Sequence, residues 1–218
     1  MGAVAAERRV RLGTAICYTG TVTEPLAHIR IASLLPESQV NGPGRRSVVH
    51  LQGCSLACPG CFNRHTHEAG EGRLVPIAEV VEFLVTHAVD GVTISGGEPF
   101  QQEESLLRLV RMLRQHGVES ILIFTGYRYD EVVSLPLGAA ILEDVDVLIA
   151  GRYEATQATR GSLMASMNQR AHLLTEFYSL DDLDLGGNLE ITIAPDGTIH
   201  LTGFPPPDVR RLVRRLGD

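Results

Sequence analysis

No stretch of this 218-residue sequence stays apolar for long enough to cross a bilayer. The arginine-bearing N-terminus, MGAVAAERRVRLGTAICYTGTV, also lacks an apolar run that could form a signal-peptide core, so a soluble, cytosolic protein is expected. Basic residues are in deficit. With 19 of them against 26 acidic ones the formal charge is -7, which argues against a nucleic-acid backbone or an anionic membrane as the main partner. A small ligand or another protein fits better. No repeat, heptad pattern or low-complexity tract appears, so the organisation must come from alternating strands and helices. At 44% apolar residues the chain can bury a sizeable core, and one domain over residues 1–218 is expected.

Cysteine is scarce, yet three of the four cysteines crowd into the eight positions from Cys54 to Cys61. In a reduced cytosol such crowding points to metal ligation more readily than to disulfides. Cys17 stands apart and reads as a small buried hydrophobe.

Apolar runs of strand character occupy Ser47 to Leu51, Val92 to Ser95, Ser120 to Phe124 and Val145 to Ala150. Between them lie helical patterns. From Pro76 to Ala88 a proline fits the first turn, and Val80, Val81, Leu84 and Val85 follow a helical repeat. From Gln101 to His116 the residues Leu106, Leu107, Val110 and Leu113 share a face, Glu103 and Glu104 stand early, and Gly117 offers a stop. Alternation of this kind implies parallel strands joined by right-handed crossovers, hence an α/β architecture. From Ser47 onward only about 170 residues remain, fewer than the ~250 of a complete eight-fold barrel, so an incomplete (β/α) barrel is expected. The tail adds a hairpin, Glu190 to Ile193 and Thr198 to Leu201 around Pro195-Asp196-Gly197. After Pro205 to Pro207 comes a last helix with Val209, Leu212, Val213 and Leu216 inward and Arg210, Arg211, Arg214 and Arg215 outward.

Each unusual motif follows an apolar strand: Gln52-Gly53-Cys54, Gly96-Gly97-Glu98-Pro99, Thr125-Gly126-Tyr127 and Gly151-Arg152-Tyr153. In a parallel α/β sheet these loops gather at one mouth, where such enzymes build their sites. Cys54-Ser-Leu-Ala-Cys58-Pro-Gly-Cys61 has a CxxxCxxC spacing. Three thiolates around a [4Fe–4S] cube leave one iron open for a chelating ligand, such as the amino and carboxylate groups of a methionine moiety. The same thiolates with His65 or His67 would also suit zinc in a non-catalytic interaction module, and the spacing alone admits both. In Gly96-Gly97-Glu98-Pro99 two glycines let the backbone pass close to a ligand. Glu98 there offers a carboxylate to an ammonium group, and Pro99 stiffens the turn. A tight loop with a solvent glutamate is the plainer alternative.

With both motifs in place, the sequence resembles the radical S-adenosylmethionine (SAM) superfamily, and within it the activating enzymes of glycyl-radical proteins, most of all the anaerobic ribonucleotide reductase activases. The likeness also rests on Val40-Asn-Gly-Pro-Gly-Arg45, Cys58-Pro-Gly-Cys-Phe-Asn63, Phe124-Thr-Gly-Tyr127, Asp146-Val-Leu-Ile-Ala-Gly-Arg152 and Asn168-Gln-Arg170. It covers a core of about 34–170, leaving 1–33 and 171–218 as extensions. Gly60 stands where many radical SAM loops carry an aromatic and Phe62 follows instead, as in the activase subgroup. The stretch from Arg160 to Asn168 carries extra residues.

The resemblance implies that Cys54, Cys58 and Cys61 bind the cluster, that SAM closes the fourth iron, and that Gly96, Gly97 and Glu98 hold its amino group. Thr125, Tyr127, Arg152 and Asn168 become candidate lining residues by position, although Tyr127 could merely pack and Arg152 could pair with Glu154. A low-potential donor such as flavodoxin or ferredoxin would reduce the cluster, and cleavage of SAM would yield a 5′-deoxyadenosyl radical. In an activase that radical takes hydrogen from a glycine Cα of a partner protein. A peptide or small metabolite is the alternative substrate.

Overall fold

The computed structural model describes residues 27–159, 162–184, 189–193, 199–204 and 209. Cys17, the Pro195-Asp196-Gly197 turn and, apart from Val209, the last helix lie outside the described residues.

The four expected strands form the parallel centre of one sheet: β2 (Arg46–Leu51), β4 (Gly91–Gly96), β5 (Ile121–Thr125) and β6 (Val147–Ala150). Sequence patterns did not announce the strands that extend it on both edges. Antiparallel β1 (His28–Ser38) pairs with β2, and β3 (Arg73–Pro76) pairs with β1. On the other side β7 (Arg170–Leu173) runs antiparallel to β6, completing the order β3-β1-β2-β4-β5-β6-β7. The sheet thus takes chain from both sides of the 34–170 core. A separate hairpin, β8 (Leu189–Ile193) and β9 (Ile199–Gly203), matches the strands expected in the tail.

The helices are α1 (Ile77–His87), α2 (Glu103–Gln115), α3 (Tyr129–Val133) and α4 (Gly138–Leu142), the last two too short to leave a periodic signature. All contribute to one core on one face of the sheet, where Val80, Leu84, Leu106, Leu109, Leu113, Val132 and Ile141 cover Val49, Leu51, Ile94 and Ile123. Right-handed crossovers place them there. Leu106, Val110 and Leu113 of α2 are fully buried as expected, but the fourth buried residue is Leu109, and Leu107 is only half-buried. The opposite face carries Leu122, Val147 and Ile149, covered by Leu163, Leu183, Tyr178 and Phe204 from the C-terminal third of the chain. The architecture is therefore α/β with a parallel centre and helices on one face.

Two expected boundaries shift for local reasons. Residues Pro99–Gln102 form a 3-10 turn before α2, because the Glu98 side chain accepts from Phe100 N and Pro99 takes the first position of that turn. β6 starts at Val147 rather than Val145, since the Asp146 carboxylate is committed to Ile121 N at 2.8 Å and Arg114 Nη2 at 2.6 Å. No helix among the described residues is long and apolar enough to cross a membrane.

Candidate functional site

The C-terminal ends of β2, β4, β5 and β6 bring the four motif-bearing loops together. Main-chain bonds from Gly97 N to Leu51 O and from Glu98 N to Gly53 O, both 2.8 Å, lay the glycine turn against the start of the cysteine loop. Gly151 N donates to Thr125 O and to Tyr127 O at 3.2 and 2.8 Å, joining the loop after β6 to that after β5. Gln101, which no sequence signal marked beyond its place after the glycine turn, grips the cysteine loop. Its Oε1 accepts from Ser55 N at 3.0 Å and its Nε2 donates to Ser55 Oγ at 2.6 Å.

The cysteine loop is pinned at its entry by Gly53 N to Thr66 O at 2.8 Å and Cys54 N to His67 O at 2.9 Å, and it turns through Cys61 N to Cys58 O at 3.1 Å. All three thiols are half-buried. Burial pushes the Cys54 thiol up, against a backbone hydrogen bond from Leu56 and with the charge of Glu98 adding to the rise. A metal centre would therefore have to displace a proton held more firmly than in a free thiol. His65 and His67 serve the loop through their carbonyls, His65 O accepting from Gln52 Nε2 and His67 O from Cys54 N. Among the described residues no three His, Cys, Asp or Glu side chains converge tightly enough to cage a single ion.

The two glycines of the turn have a different physical reason from the one expected. A Cβ on Gly97 would lie 2.3 Å from Gly53 O, so the missing side chain admits the neighbouring loop's main chain. Gly96, at φ +100°, is backed by Leu51 N at 2.5 Å from such a Cβ. Pro99 is buried. Glu98 is also buried, 1% exposed, with its carboxylate turned inward: Oε1 accepts from Phe100 N and Thr125 Oγ1, and Oε2 from Gly126 N. The solvent-facing glutamate considered from sequence is thus corrected. Burial pushes this carboxyl up to about 7, opposed by those three donors.

At the rim, Arg152 pairs with Glu131 of α3 at 2.6 Å rather than with Glu154, a correction that follows from the short α3 bringing Glu131 under the guanidinium. The Arg152 guanidinium also lies 5.7 Å from the centre of the Tyr127 ring, and its Nη1 donates to Gly126 O at 3.3 Å. Tyr127 therefore faces a cation. Asn168 donates from Nδ2 to Arg152 O at 2.8 Å, and its Oδ1 is the one buried side-chain N or O atom without a hydrogen-bond partner among the described residues. Phe62 meets Tyr153 edge to face at 5.5 Å and Phe204 at 5.8 Å, so the residue after the third cysteine touches both the loop after β6 and the C-terminal hairpin.

A three-thiol loop thus meets a glycine turn at the strand ends of an α/β sheet, and the family match gives this arrangement its class, an iron–sulfur protein. Residues 40–172 match the family described as "4Fe-4S single cluster domain", and the chain belongs to that family. It is similar to the anaerobic ribonucleoside-triphosphate reductase-activating protein of Enterobacteria phage T4, 34% identical over 143 residues, which are 63% of this chain and 89% of that protein. The protein of the same description from Escherichia coli K12 is 29% identical over 128 residues, 54% of this chain and 80% of the relative. The pyruvate formate-lyase-activating enzyme of Clostridium pasteurianum is 33% identical over 106 residues, 46% of this chain and 44% of its own length. The chain is an enzyme of this activase-like kind.

Proposed function

We propose that this chain is a cytoplasmic radical SAM activase, one domain built on an open, incomplete (β/α) barrel, that installs a glycyl radical on a partner enzyme. The observation that carries the reading is the main-chain seam between Gly53 and the Gly97-Glu98 turn, which fixes the three-cysteine loop beside a turn suited to an amino acid. Cys54, Cys58 and Cys61 would hold a [4Fe–4S] cluster, three thiolates for four irons. When bound, cluster and SAM together supply a one-electron cleavage whose product removes hydrogen from a glycine Cα of the partner.

The chain's own residues bind, orient and exclude water. The Gly96-Gly97-Glu98 turn would receive the amino group of SAM, and Asn168 Oδ1, a buried acceptor without a donor, fits an N–H or O–H of the nucleoside. Tyr127 and Arg152 would wall the pocket on the side of the loops after β5 and β6, and Phe62 with Tyr153 and Phe204 would keep the cysteine loop dry. The relatives' names support a glycyl-radical partner of the ribonucleotide reductase or pyruvate formate-lyase kind. A low-potential protein such as flavodoxin or ferredoxin would serve as electron donor. Only a residue without a side chain can bring its Cα so near the site.

The test mixes reduced, cluster-loaded protein, SAM and an anaerobic ribonucleotide reductase, and records the electron paramagnetic resonance spectrum. A glycine-centred doublet is expected. Formation of 5′-deoxyadenosine with no such doublet on any glycyl-radical protein offered would assign the chemistry to a peptide or small metabolite instead.

A further inference from the structure

The neck of the loop that carries the three cysteines is closed by main-chain and amide groups. Gly53 N and Cys54 N reach Thr66 O and His67 O across it. The Gln52 side chain adds two rungs beside them, its Nε2 donating to Glu68 O at 2.9 Å and to His65 O at 3.2 Å. Both hydrogens of that amide are thereby used. Gln52 is buried, and Gly72, at φ +70°, makes room for it, since a Cβ there would stand 2.9 Å from Gln52 Cβ and Cγ.

Two further glutamines, consecutive in the 3-10 turn after Glu98, hold the same structure from outside. Gln101 takes the incoming limb: besides its two bonds to Ser55, its Nε2 reaches Tyr127 OH at 3.4 Å, so one amide spans the cysteine loop and the loop after β5. Gln102 backs the neck. Its Oε1 accepts from Arg30 N at 2.9 Å, and its Nε2 donates to Arg30 O at 3.0 Å and to Gln52 O at 3.1 Å, which fastens the Gln52 main chain to β1. A primary amide donates and accepts at once and brings no charge. A lysine, arginine or glutamate in these places would add a field beside a redox centre whose potential follows the charge around it.

We infer that Gln52 and Gln101 are positioning residues, a neutral amide frame that holds the two limbs of the cysteine loop ready for the cluster and sets how firmly the cluster is kept. The inference rests on the cluster reading of Cys54, Cys58 and Cys61 proposed above; it requires neither SAM nor a partner protein.

The test uses the full chain with three single substitutions. Gln101→Leu keeps the bulk and removes every hydrogen bond of the side chain. Gln101→Glu keeps an acceptor for Ser55 N, and its other oxygen accepts from the Ser55 hydroxyl once that hydroxyl turns to donate, so the grip survives with a charge added. In Gln52→Glu the carboxyl has at most one donor for the two carbonyls that Gln52 serves. Gln101 is exposed, so both of its variants should fold as the wild type does.

Hydrogen exchange at the Ser55 amide of the cluster-free protein is expected to quicken about fivefold in Gln101→Leu, the equivalent of one hydrogen bond, and to keep the wild-type rate in Gln101→Glu. In Gln52→Glu the amides of Gly53 and Cys54 should quicken by a similar factor. Anaerobically reconstituted protein is then challenged with an iron chelator. Iron loss should be about fivefold faster in Gln101→Leu and Gln52→Glu and unchanged in Gln101→Glu, where the reduction midpoint of the cluster moves to a more negative value instead.

The frame is overturned if Gln101→Leu releases iron at the wild-type rate, or if Gln101→Glu releases it as fast as Gln101→Leu, because hydrogen bonding would then not decide retention. Should Gln52→Glu fail to fold, the Gln101 pair decides alone. Wild-type protein that takes up no iron and labile sulfide would refute the cluster reading itself, and the exchange rates at Gly53, Cys54 and Ser55 would still show whether the amides hold the loop.

Discussion

The two ends of the parallel strands each bury one charged side chain that has no counter-ion, and they use it differently. At the start of β2, Arg46 is fully buried and spends its donors on neutral acceptors: Nε on Thr93 Oγ1 at 2.8 Å, Nη2 on Val92 O at 2.7 Å, and Nη1 on Ser120 Oγ at 3.0 Å and Tyr178 OH at 3.1 Å. At the far end of β4, Glu98 gathers a hydroxyl and two amides. Among the described residues neither forms an ion pair. A buried charge without a counter-ion persists only when dipoles replace its water, and both sites meet that condition. Arg46 links the starts of three strands and the Tyr178 segment into one block. Glu98 links loops instead, leaving half-buried thiols and the unpaired Asn168 Oδ1 at the same end. Stability is concentrated at one end and chemistry at the other.

Four substitutions sharpen or break this contrast when the stability of the cluster-free protein is followed by urea unfolding. Arg46→Met should have the largest effect, about 4 kcal/mol or complete unfolding, because it strands acceptors on β4, at Ser120 before β5 and at Tyr178 at once. A loss under about 1 kcal/mol would remove the distinction between the ends.

Glu98→Gln should alter the pH dependence. Burial lifts Glu98 from its ordinary 4.5 to about 7, so between those values the folded protein holds the proton more tightly than the unfolded chain. Its contribution is therefore most favourable below about pH 4.5, declines at up to roughly 1.4 kcal/mol per pH unit as pH rises toward 7, and is level above, about 3 kcal/mol in all. Wild type should lose that amount relative to Glu98→Gln across the window. His50, lowered to about 4 by burial and the neighbouring His65, works in the opposite sense in both proteins and cancels in the comparison.

Glu131→Gln breaks a partly exposed pair with Arg152 and should cost no more than about 1 kcal/mol, less at high salt. Cys58→Ala should change stability least, within about 0.5 kcal/mol, while abolishing cluster retention. If it unfolded the apo-protein, the thiols would belong to the scaffold.

The strands and helices that carry the motifs were legible in the sequence because each is an apolar run or a helical repeat of adequate length. β1 was not, since half-buried positions and the β-bulge irregularities between Ile31 and Ser33 and between Leu35 and Ser38 blur its alternation. β7, at four residues, is too short to show a period. In the site, the clustering of Cys54, Gly97, Thr125 and Arg152 followed from their common place after parallel strands. The direction of the Glu98 side chain did not, because it depends on Thr125 and Gly126, partners 27 and 28 residues away. Likewise Arg152 found Glu131 across the fold in preference to its near neighbour Glu154. Arg46 carried no signal at all, adjoining Arg45 in a sequence where paired arginines normally sit in solvent.

The most direct measurement is iron and acid-labile sulfide analysis of anaerobically reconstituted protein, coupled to the electron paramagnetic resonance of its reduced state before and after SAM is added. About four irons and four sulfides per chain are expected, all lost in Cys54→Ala, with a cluster signal that shifts when SAM coordinates the open iron. Stoichiometric zinc without sulfide, or a cluster spectrum indifferent to SAM, would contradict that expectation.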